Sequence, residues 1–271
     1  MQHSDCKFNY QMASFFSGTS GILLPYKNKT FYPVEWQAKS RLEVYGLLHN
    51  SVEVNSTFYK IPRVHTIVRW ATEVPRDFRF TFKLWKGITH NKSLHFDEAD
   101  VRLFMETING IDTNRGCLLI QLPPSTGFAC VAQLDRLLSC ISDLNTAGWR
   151  VCVEFRNRTW HRSECVELLS AYGASLVLHD KGGMGVDIDQ AAGDTVYLRF
   201  HGPDGNYRSS YDEAFLKEYS LYIAGWLAEG KEVYVYFNNT IGDALANLNL
   251  LVAYVDEEWP AGRGGAPTGA I

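Results

Sequence analysis

The chain has 271 residues, of which 46% are hydrophobic, so it is long enough to bury a full core as one large α/β domain or as two smaller ones. Its formal net charge of −4 excludes a broad basic surface, so contact with nucleic acid would need a local patch. The sequence has no run of about 18 apolar residues, which predicts a soluble protein without membrane contact.

The six cysteines lack CxxC spacing, and several fall inside apolar runs such as GCLLIQL and RVCVEF. This placement is typical of buried free thiols and favours a reducing, cytoplasmic setting. We therefore expect the protein to fold without a disulfide, and no ligand cluster in the sequence calls for a structural metal or another cofactor.

Short β-like segments alternate with helical periodicity along most of the chain. The predicted strands cover residues 13–18, 51–55, 77–83, 116–122, 150–155, 174–179, 195–200 and 232–238. The predicted helices cover residues 63–74, 97–108, 131–144, 163–172, 211–230 and 243–254. The sixth unit is irregular, because DKGGMGVDIDQAAGD is too rich in Gly and Asp for a good helix.

This alternation predicts an α/β fold with a single TIM (β/α)8 barrel, and a doubly wound open sheet is the alternative. The barrel domain is expected to span residues 1–256. The last stretch, residues 257–271, is dominated by Gly, Ala and Pro and is expected to be a disordered tail.

The two faces of each predicted strand differ in polarity. In the second strand Val52 and Val54 would face the helices, while Glu53 and Asn55 would face into the barrel. The same phase in strands three, five, seven and eight directs inward Thr81, Lys83, Cys152, Glu154, Arg156, Tyr197, Arg199, His201, Tyr234, Tyr236 and Asn238.

Many inward polar side chains fall at or just past the C-terminal strand ends, where barrel enzymes keep their active sites. We expect them to converge there. The alternative is a network of ion pairs that only fills the barrel, since buried charges persist when they are paired and hydrogen-bonded. Nearby aromatic residues, among them Phe58 and Tyr59, are expected to pack helices on the barrel.

Six segments, in order and over about residues 30 to 255, closely resemble the YecE-like family, a domain of unknown function (number 72): VEVNSTFYKIP, FRFTFKLWKGITH, LLIQLPPS, VEFRNRTW, YLRFHGPDGNY and VYVYFNNTIGDALANL. The resemblance implies a TIM barrel but no reaction, because the family has no established one. It also implies recurring polar positions at the strand ends, here Glu53, Asn55, Lys83, His90, Gln121, Glu154, Arg156, Arg199, His201, Asn238 and Asn239.

These positions allow several chemistries. Glu53 and Glu154 could act as an acid–base pair. Lys83 could form a Schiff base if its pKa were lowered, whereas two flanking carboxylates would keep it charged, and the second outcome is expected. The candidate catalytic residues are Glu53, Lys83, Glu154 and His201. The candidate substrate-binding residues are Asn55, His90, Gln121, Arg156, Arg199, Asn238 and Asn239.

Charge and loop composition at the strand ends favour an anionic ligand. Lys83, Arg156 and Arg199 outnumber the two inward glutamates. The loops after strands seven and eight, with the start of the last helix near Thr240 and Gly242, resemble the region where barrels bind phosphate.

We therefore predict an enzyme, of the hydrolase or lyase type, acting on a small phosphorylated or carboxylated molecule. The alternatives are a non-catalytic protein that binds nucleic acid or an anionic metabolite, and a metal-dependent hydrolase or nuclease. The metal in that last case would be recruited by His179, Asp180, His201 and Glu154.

Overall fold

A computed structural model describes residues 14–181, 188, 191 and 193–260, and in them eight parallel strands surround a barrel interior. The strands are β1 Ser14–Thr19, β2 Ser51–Val54, β3 Arg79–Lys83, β4 Arg115–Gln121, β5 Arg150–Glu154, β6 Ser175–His179, β7 Thr195–Phe200 and β8 Glu232–Phe237. The helices are α1 Arg41–Leu48, α2 Ser56–Tyr59, α3 Val64–Thr72, α4 Lys86–Thr89, α5 Glu98–Ile108, α6 Val131–Leu144, α7 Ser163–Ala171, α8 Glu213–Ala228 and α9 Ala244–Glu258.

Strands β2 to β8 pair in chain order and β1 pairs with β8, so the two edges of the sheet are β1 and β2. These edges meet at a seam with an isolated backbone bridge between Ser20 and Glu53. The predicted single TIM barrel is therefore confirmed, and the open sheet is excluded. The prediction missed α1 and the one-turn helices α2 and α4. Most of the irregular sixth unit lies outside the described residues, as does residue range 261–271 of the predicted tail. Within the described ranges, no helix combines the length and apolar character needed to cross a bilayer.

Some of the helices begin where a side chain satisfies free backbone N–H groups. Ser40 and Glu43 form a reciprocal capping box at the start of α1, and the Asp212 carboxylate accepts a hydrogen bond from the Phe215 N–H at the start of α8. Each of these caps fixes where its helix begins. They therefore help to hold the loops at the strand ends in place.

The seam between β1 and β2 is closed mainly by side chains. The Tyr45 hydroxyl accepts a hydrogen bond from the Thr19 N–H at 2.8 Å and donates to the Ser51 carbonyl at 3.1 Å. Asn50 bridges to the backbone of β1 in the same way, through Ser17 N at 2.9 Å and Phe15 O at 2.8 Å. These bonds replace the missing ladder and satisfy backbone groups that would otherwise be unpaired.

The seam is also closely packed. A Cβ at Gly18 would lie 1.9 Å from the Ser51 carbonyl oxygen, so only glycine allows the two strands to approach this far.

Side chains alternate between two cores, as the sequence pattern predicts. Phe78, Phe80 and Phe82 pack outward against the helices, while Thr81 points inward and shares a hydrogen bond of 2.7 Å with the Tyr236 hydroxyl. The middle of the barrel interior is filled by Phe16, Cys117, Leu119, Cys152, Val177, Tyr197, Tyr234 and Tyr236. Because this layer is filled, the open space at the C-terminal strand ends is a cavity with a floor and not a pore.

Candidate functional site

A cavity of about 180 Å³ lies at the C-terminal ends of the strands and is partly open to solvent. Its lining residues are Asn55, Phe58, Tyr59, Lys83, Gln121, Arg156, Arg199, Tyr207 and Asn238. Six of the predicted site residues are in this lining. The predicted residues Glu53, Glu154 and His201 lie behind it, in contact with its arginines.

At the floor of the cavity, the Arg199 guanidinium bridges two carboxylates. Its Nε and Nη2 donate to Glu53 at 2.8 and 2.7 Å, and its Nη1 donates to Glu154 Oε2 at 2.5 Å. The Tyr197 hydroxyl and Ser20 Oγ also donate to Glu53, at 2.5 and 2.7 Å. Since β2, β5 and β7 are not adjacent in the barrel, this network connects three of its walls.

The surroundings keep both carboxylates ionised. Burial alone would raise the pKa of Glu53, but the charge and hydrogen bonds of Arg199 outweigh it and hold this pKa below its ordinary value. Burial opposes Arg199 and Arg156 in the same way at Glu154, whose pKa lies well below its ordinary value. At neutral pH neither carboxylate carries a proton that it could donate, and both have their oxygens occupied.

Arg156 connects this ion pair network to a chain of hydrogen bonds that ends at Tyr211. Its Nε donates to Glu154, and its Nη2 donates to His201 Nε2 at 2.9 Å. His201 Nδ1 donates to Asp180 Oδ1 at 3.0 Å, and the Tyr211 hydroxyl donates to the other Asp180 oxygen. Burial lowers the pKa of His201 to about 4, so the ring is neutral at pH 7 and both of its nitrogens are engaged.

Lys83 is held differently from the two arginines. It ends β3, and its Nζ donates to the neutral Gln121 Oε1 at 2.9 Å. The same nitrogen lies 4.2 Å from the centroid of the Phe58 ring. Among the described residues, Lys83 forms no salt bridge with a carboxylate.

The expectation that Glu53 and Glu154 hold Lys83 between them is therefore wrong. Both carboxylates are paired with Arg199, because a guanidinium offers several donors in a fixed plane and can bridge two acceptors. Burial, followed by the positive charge of Arg199, lowers the pKa of Lys83 to about 8. The more distant carboxylates offset only part of this shift.

Three predicted asparagines occupy different places. Asn55 and Asn238 line the cavity, and the Asn55 Oδ1 is buried without a hydrogen-bond partner. Asn239 lies outside the lining, where its Nδ2 donates to Ser209 O and to Asn247 Oδ1, both at 3.0 Å. An unpartnered buried acceptor at a cavity wall is a position where a ligand donor would be favourable.

His90 is also outside the cavity lining. It follows α4, its Nδ1 lies 2.8 Å from Thr89 Oγ1, and its ring packs edge-on against Phe58 at 4.9 Å between centroids. His90 therefore supports a lining residue and does not itself face the cavity.

The loops after β7 and β8 do not leave the predicted phosphate site free. The N–H groups of Ile241 and Asp243 donate to the carbonyls of Tyr207 and Ser209, at 3.0 and 3.3 Å. A Cβ at Gly242 would lie 2.3 Å from the Ser209 carbonyl oxygen. The loop after β7 thus covers the segment before α9 and occupies N–H groups that an anion would need. The prediction of an anion site at this position is therefore wrong.

The residues proposed for metal recruitment are already occupied by protein partners. His179 Nε2 donates to the Phe155 carbonyl at 2.8 Å, and its Nδ1 accepts from the Lys181 N–H at 3.2 Å. Asp180 and His201 are bonded to each other, as described above. In the part of the chain that the structure describes, no group of three or more His, Cys, Asp or Glu side chains is arranged to hold a metal ion.

Three further residues line the cavity that the sequence pattern did not predict there, Phe58, Tyr59 and Tyr207. The expectation that Phe58 and Tyr59 pack helices on the barrel is wrong, because the short helix α2 directs them to the cavity. Tyr207 is placed by a loop in which its own φ is +68°, a left-handed conformation that costs about 1 kcal/mol or more for a residue with a Cβ. Lys181 Nζ lies 3.5 Å from the centroid of the Tyr207 ring.

The fold and this strand-end cavity define a TIM-barrel protein with a cation-rich pocket. The chain belongs to the family described as "Protein of unknown function DUF72", whose model matches residues 16–268. The UPF0759 protein YunF of Bacillus subtilis (strain 168) is 25% identical over 265 residues, which cover 85% of this chain and 92% of that protein. The UPF0759 protein YecE of Escherichia coli (strain K12) is 33% identical over 86 residues, 32% of each chain.

Two solved structures share the fold. A DUF72 family protein from Enterococcus faecalis V583 superposes with a TM-score of 0.74 at 20% identity, covering 89% of this chain and 95% of that one. A DUF72 family protein from Thermotoga maritima MSB8 gives a TM-score of 0.66 at 23% identity, covering 90% and 98% of the two chains.

Proposed function

We propose that the cavity binds a small anionic molecule, phosphorylated or carboxylated, and that the protein is an enzyme acting on it. The observation that carries this proposal is the charge of the lining. Three cations line the cavity: Lys83, Arg156 and Arg199. The two glutamates, Glu53 and Glu154, lie behind the lining and form salt bridges with the arginines. A ligand anion would supply the negative partner that Lys83 lacks among the described residues.

The lining residues take distinct roles in this proposal. Lys83 and Arg156 contact the anionic group, because both border the cavity and a partly desolvated cation gains most from a new counterion. The unpartnered Asn55 Oδ1 accepts a hydrogen bond from a hydroxyl or amino group of the ligand. Glu53, Glu154 and His201 hold the arginines in position and exchange no proton with the ligand.

A thermal-shift series tests the binding step. Phosphate, sulfate and a panel of small phosphorylated and carboxylated compounds are added to the wild type at fixed ionic strength. At a ligand concentration of about one hundred times Kd, mass action contributes about 2.7 kcal/mol, which raises Tm by roughly 5–10 °C for a chain of this size.

The variant Lys83→Met should lose this increase, whereas the matched variant Lys86→Met should retain it. Lys86 is exposed and also lies over an aromatic ring, with its Nζ 5.6 Å from the Tyr59 centroid, but it does not line the cavity. A wild type that responds to none of the anions would overturn the proposal. Compounds that do stabilise the wild type would then be assayed for conversion, since a bound molecule that is never transformed would leave a binding protein and not an enzyme.

A further inference from the structure

The Lys83 amine has the surroundings of a nucleophile and not those of an ion-pair partner. Its hydrogen-bond acceptor is a neutral amide, to which an uncharged amine can still donate. The Phe58 ring covers one side of the nitrogen, and the cavity borders the residue. An unprotonated amine at this position has a free lone pair. Among the described residues, no carboxylate depends on the positive charge of Lys83, because Glu53 and Glu154 are paired with arginines.

We propose that Lys83 forms an imine with the carbonyl carbon of a small anionic aldehyde or ketone, such as an oxo acid or a phosphorylated carbonyl compound. This inference rests on the proposed function, because it uses the same cavity and the same ligand charge. It adds the reacting group of the ligand and the atom of the protein that it meets. A lysine amine in a desolvated site next to another cation is a suitable nucleophile for this step.

Lys83 Nζ attacks the carbonyl carbon, a C–N bond forms, and the C=O π pair moves to oxygen. A proton passes from Nζ to that oxygen and gives a carbinolamine. The carbinolamine hydroxyl takes a proton and leaves as water while the nitrogen lone pair forms the C=N bond. The step involves no net oxidation or reduction, and water reverses it.

The lining supplies the other groups that this step needs. The Tyr207 phenol can give the proton that leaves with water, and the resulting phenolate is stabilised by neighbouring cations. Burial alone would raise the pKa of Tyr207, but Lys181 and Arg156 bring it below its ordinary value. Arg156 is placed to hold the carboxylate or phosphate of the same molecule. The cavity volume of about 180 Å³ corresponds to about six water-sized groups, which suits a molecule with three or four carbons.

Reductive trapping tests the proposal. Pyruvate, glyoxylate and dihydroxyacetone phosphate are incubated separately with the full chain and sodium cyanoborohydride, which reduces an imine to a stable secondary amine. The mass of the protein should then increase by the mass of the probe less one oxygen atom. Peptide mapping should place this increment on Lys83. Near pH 7 about one tenth of a lysine with a pKa of about 8 is unprotonated, so Lys83 has a free amine that can react. Trapping should be at least tenfold faster at Lys83 than at Lys86, which is exposed and does not border the cavity that would hold the probe.

Four variants make the result specific. Lys83→Met and Lys83→Arg should both lose the increment, while Lys86→Met should keep it. Lys83→Arg retains the positive charge, so its thermal shift with inorganic phosphate reports anion binding independently of imine formation. Tyr207→Phe should slow trapping at Lys83 without abolishing the increment, because it removes the proton donor and keeps the amine.

The outcomes distinguish this inference from the proposed function. A phosphate shift in the wild type, with no trapped Lys83 peptide for any of the three probes, overturns the imine and leaves anion binding intact. Trapping that is equally fast at Lys83 and Lys86 also overturns it. The absence of both the phosphate shift and the trapped peptide overturns the imine and the proposed function together.

Discussion

The two ends of the barrel interior each contain an arginine paired with a glutamate, but the C-terminal end also borders the cavity, where Lys83 has a neutral hydrogen-bond partner. At the N-terminal end, Arg150 donates from Nε and Nη2 to the two oxygens of Glu232, at 2.5 and 2.7 Å. At the C-terminal end, Arg199 makes the same two-point contact with Glu53. There the network extends further, and Lys83 is left with a neutral partner.

The comparison separates the part of the charge that supports the fold from the part that is available to a ligand. A paired arginine and glutamate satisfy each other and fix two strands relative to one another, as Arg150 and Glu232 do for β5 and β8. The layer of tyrosines, cysteines and aliphatic residues between the two ends keeps them independent. The positive charge left at the C-terminal end has no such structural explanation, and it borders the cavity.

Arg199→Met is expected to have the largest effect on stability. It leaves Glu53 and Glu154 buried, each without its main counter-charge, and breaking a buried pair in this way costs about 3–5 kcal/mol. The free energy of unfolding, measured in urea, should fall by this amount or the protein should fail to fold. The control Arg208→Met, at an exposed position in the loop after β7, should change it by less than about 0.5 kcal/mol. Similar losses in the two variants would contradict the structural role of Arg199.

The pH dependence of the Lys83 contribution is the next largest effect. Because the pKa of Lys83 is about 8 in the folded state and 10.5 is its ordinary value, the unfolded state binds more protons between these two values, and stability rises with pH there. The wild type should gain up to about 3 kcal/mol relative to Lys83→Met between pH 8 and pH 10.5. Arg199 and Arg156 lower the pKa of Lys83, while Glu154 and Glu53 raise it. These four charged residues are present in both the wild type and Lys83→Met.

The measurement is a pair of urea titrations at several pH values between 7 and 10.5. The difference between the two proteins isolates Lys83, since the tyrosines and the other lysines titrate in both. A difference that stays constant across this range would mean that Lys83 has an ordinary pKa, and the contrast between the two ends of the barrel would then lose its electrostatic basis.

Arg150→Met should have an intermediate effect, because the pair that it breaks is closer to solvent. The Arg150 side chain is 29% exposed and that of Glu232 is 10% exposed, compared with 1% and 0% for Arg199 and Glu53. A loss of about 1–3 kcal/mol is expected in urea, between the values for surface and buried pairs. The same variant should leave the anion-induced increase in Tm unchanged, since it lies at the far end of the interior. An effect on that increase would show that the two ends are coupled.

The sequence predicts the barrel and the inward polar positions well, because both depend on periodicity. Glu53, Lys83, Glu154 and Arg199 all lie on regular strands, and the alternation of a strand determines the direction of their side chains. Which cation pairs with which carboxylate could not be predicted in this way. It depends on the order of the strands around the barrel and on side-chain length, and these place Arg199 between the two glutamates.

Lining positions on a short helix or in a loop could not be predicted from the alternation of the strands. Phe58 lies on a one-turn helix, and Tyr207 lies in a loop with a left-handed backbone, so neither follows a periodicity of two. The loop after β7 covers the start of α9 through backbone contacts, which no composition rule detects.

Lys83→Met is expected to have the smallest effect on stability at neutral pH, within about 1 kcal/mol of the wild type. The substitution removes a hydrogen bond to Gln121 and the contact with Phe58, and it also removes the cost of holding a charged amine in a partly desolvated site. These contributions have opposite signs and comparable size. If Lys83 were instead a structural ion-pair partner, its removal would cost about 3–5 kcal/mol, as for Arg199. Urea titration at pH 7 separates the two cases, and a small change in stability together with a lost anion response would assign Lys83 to the ligand.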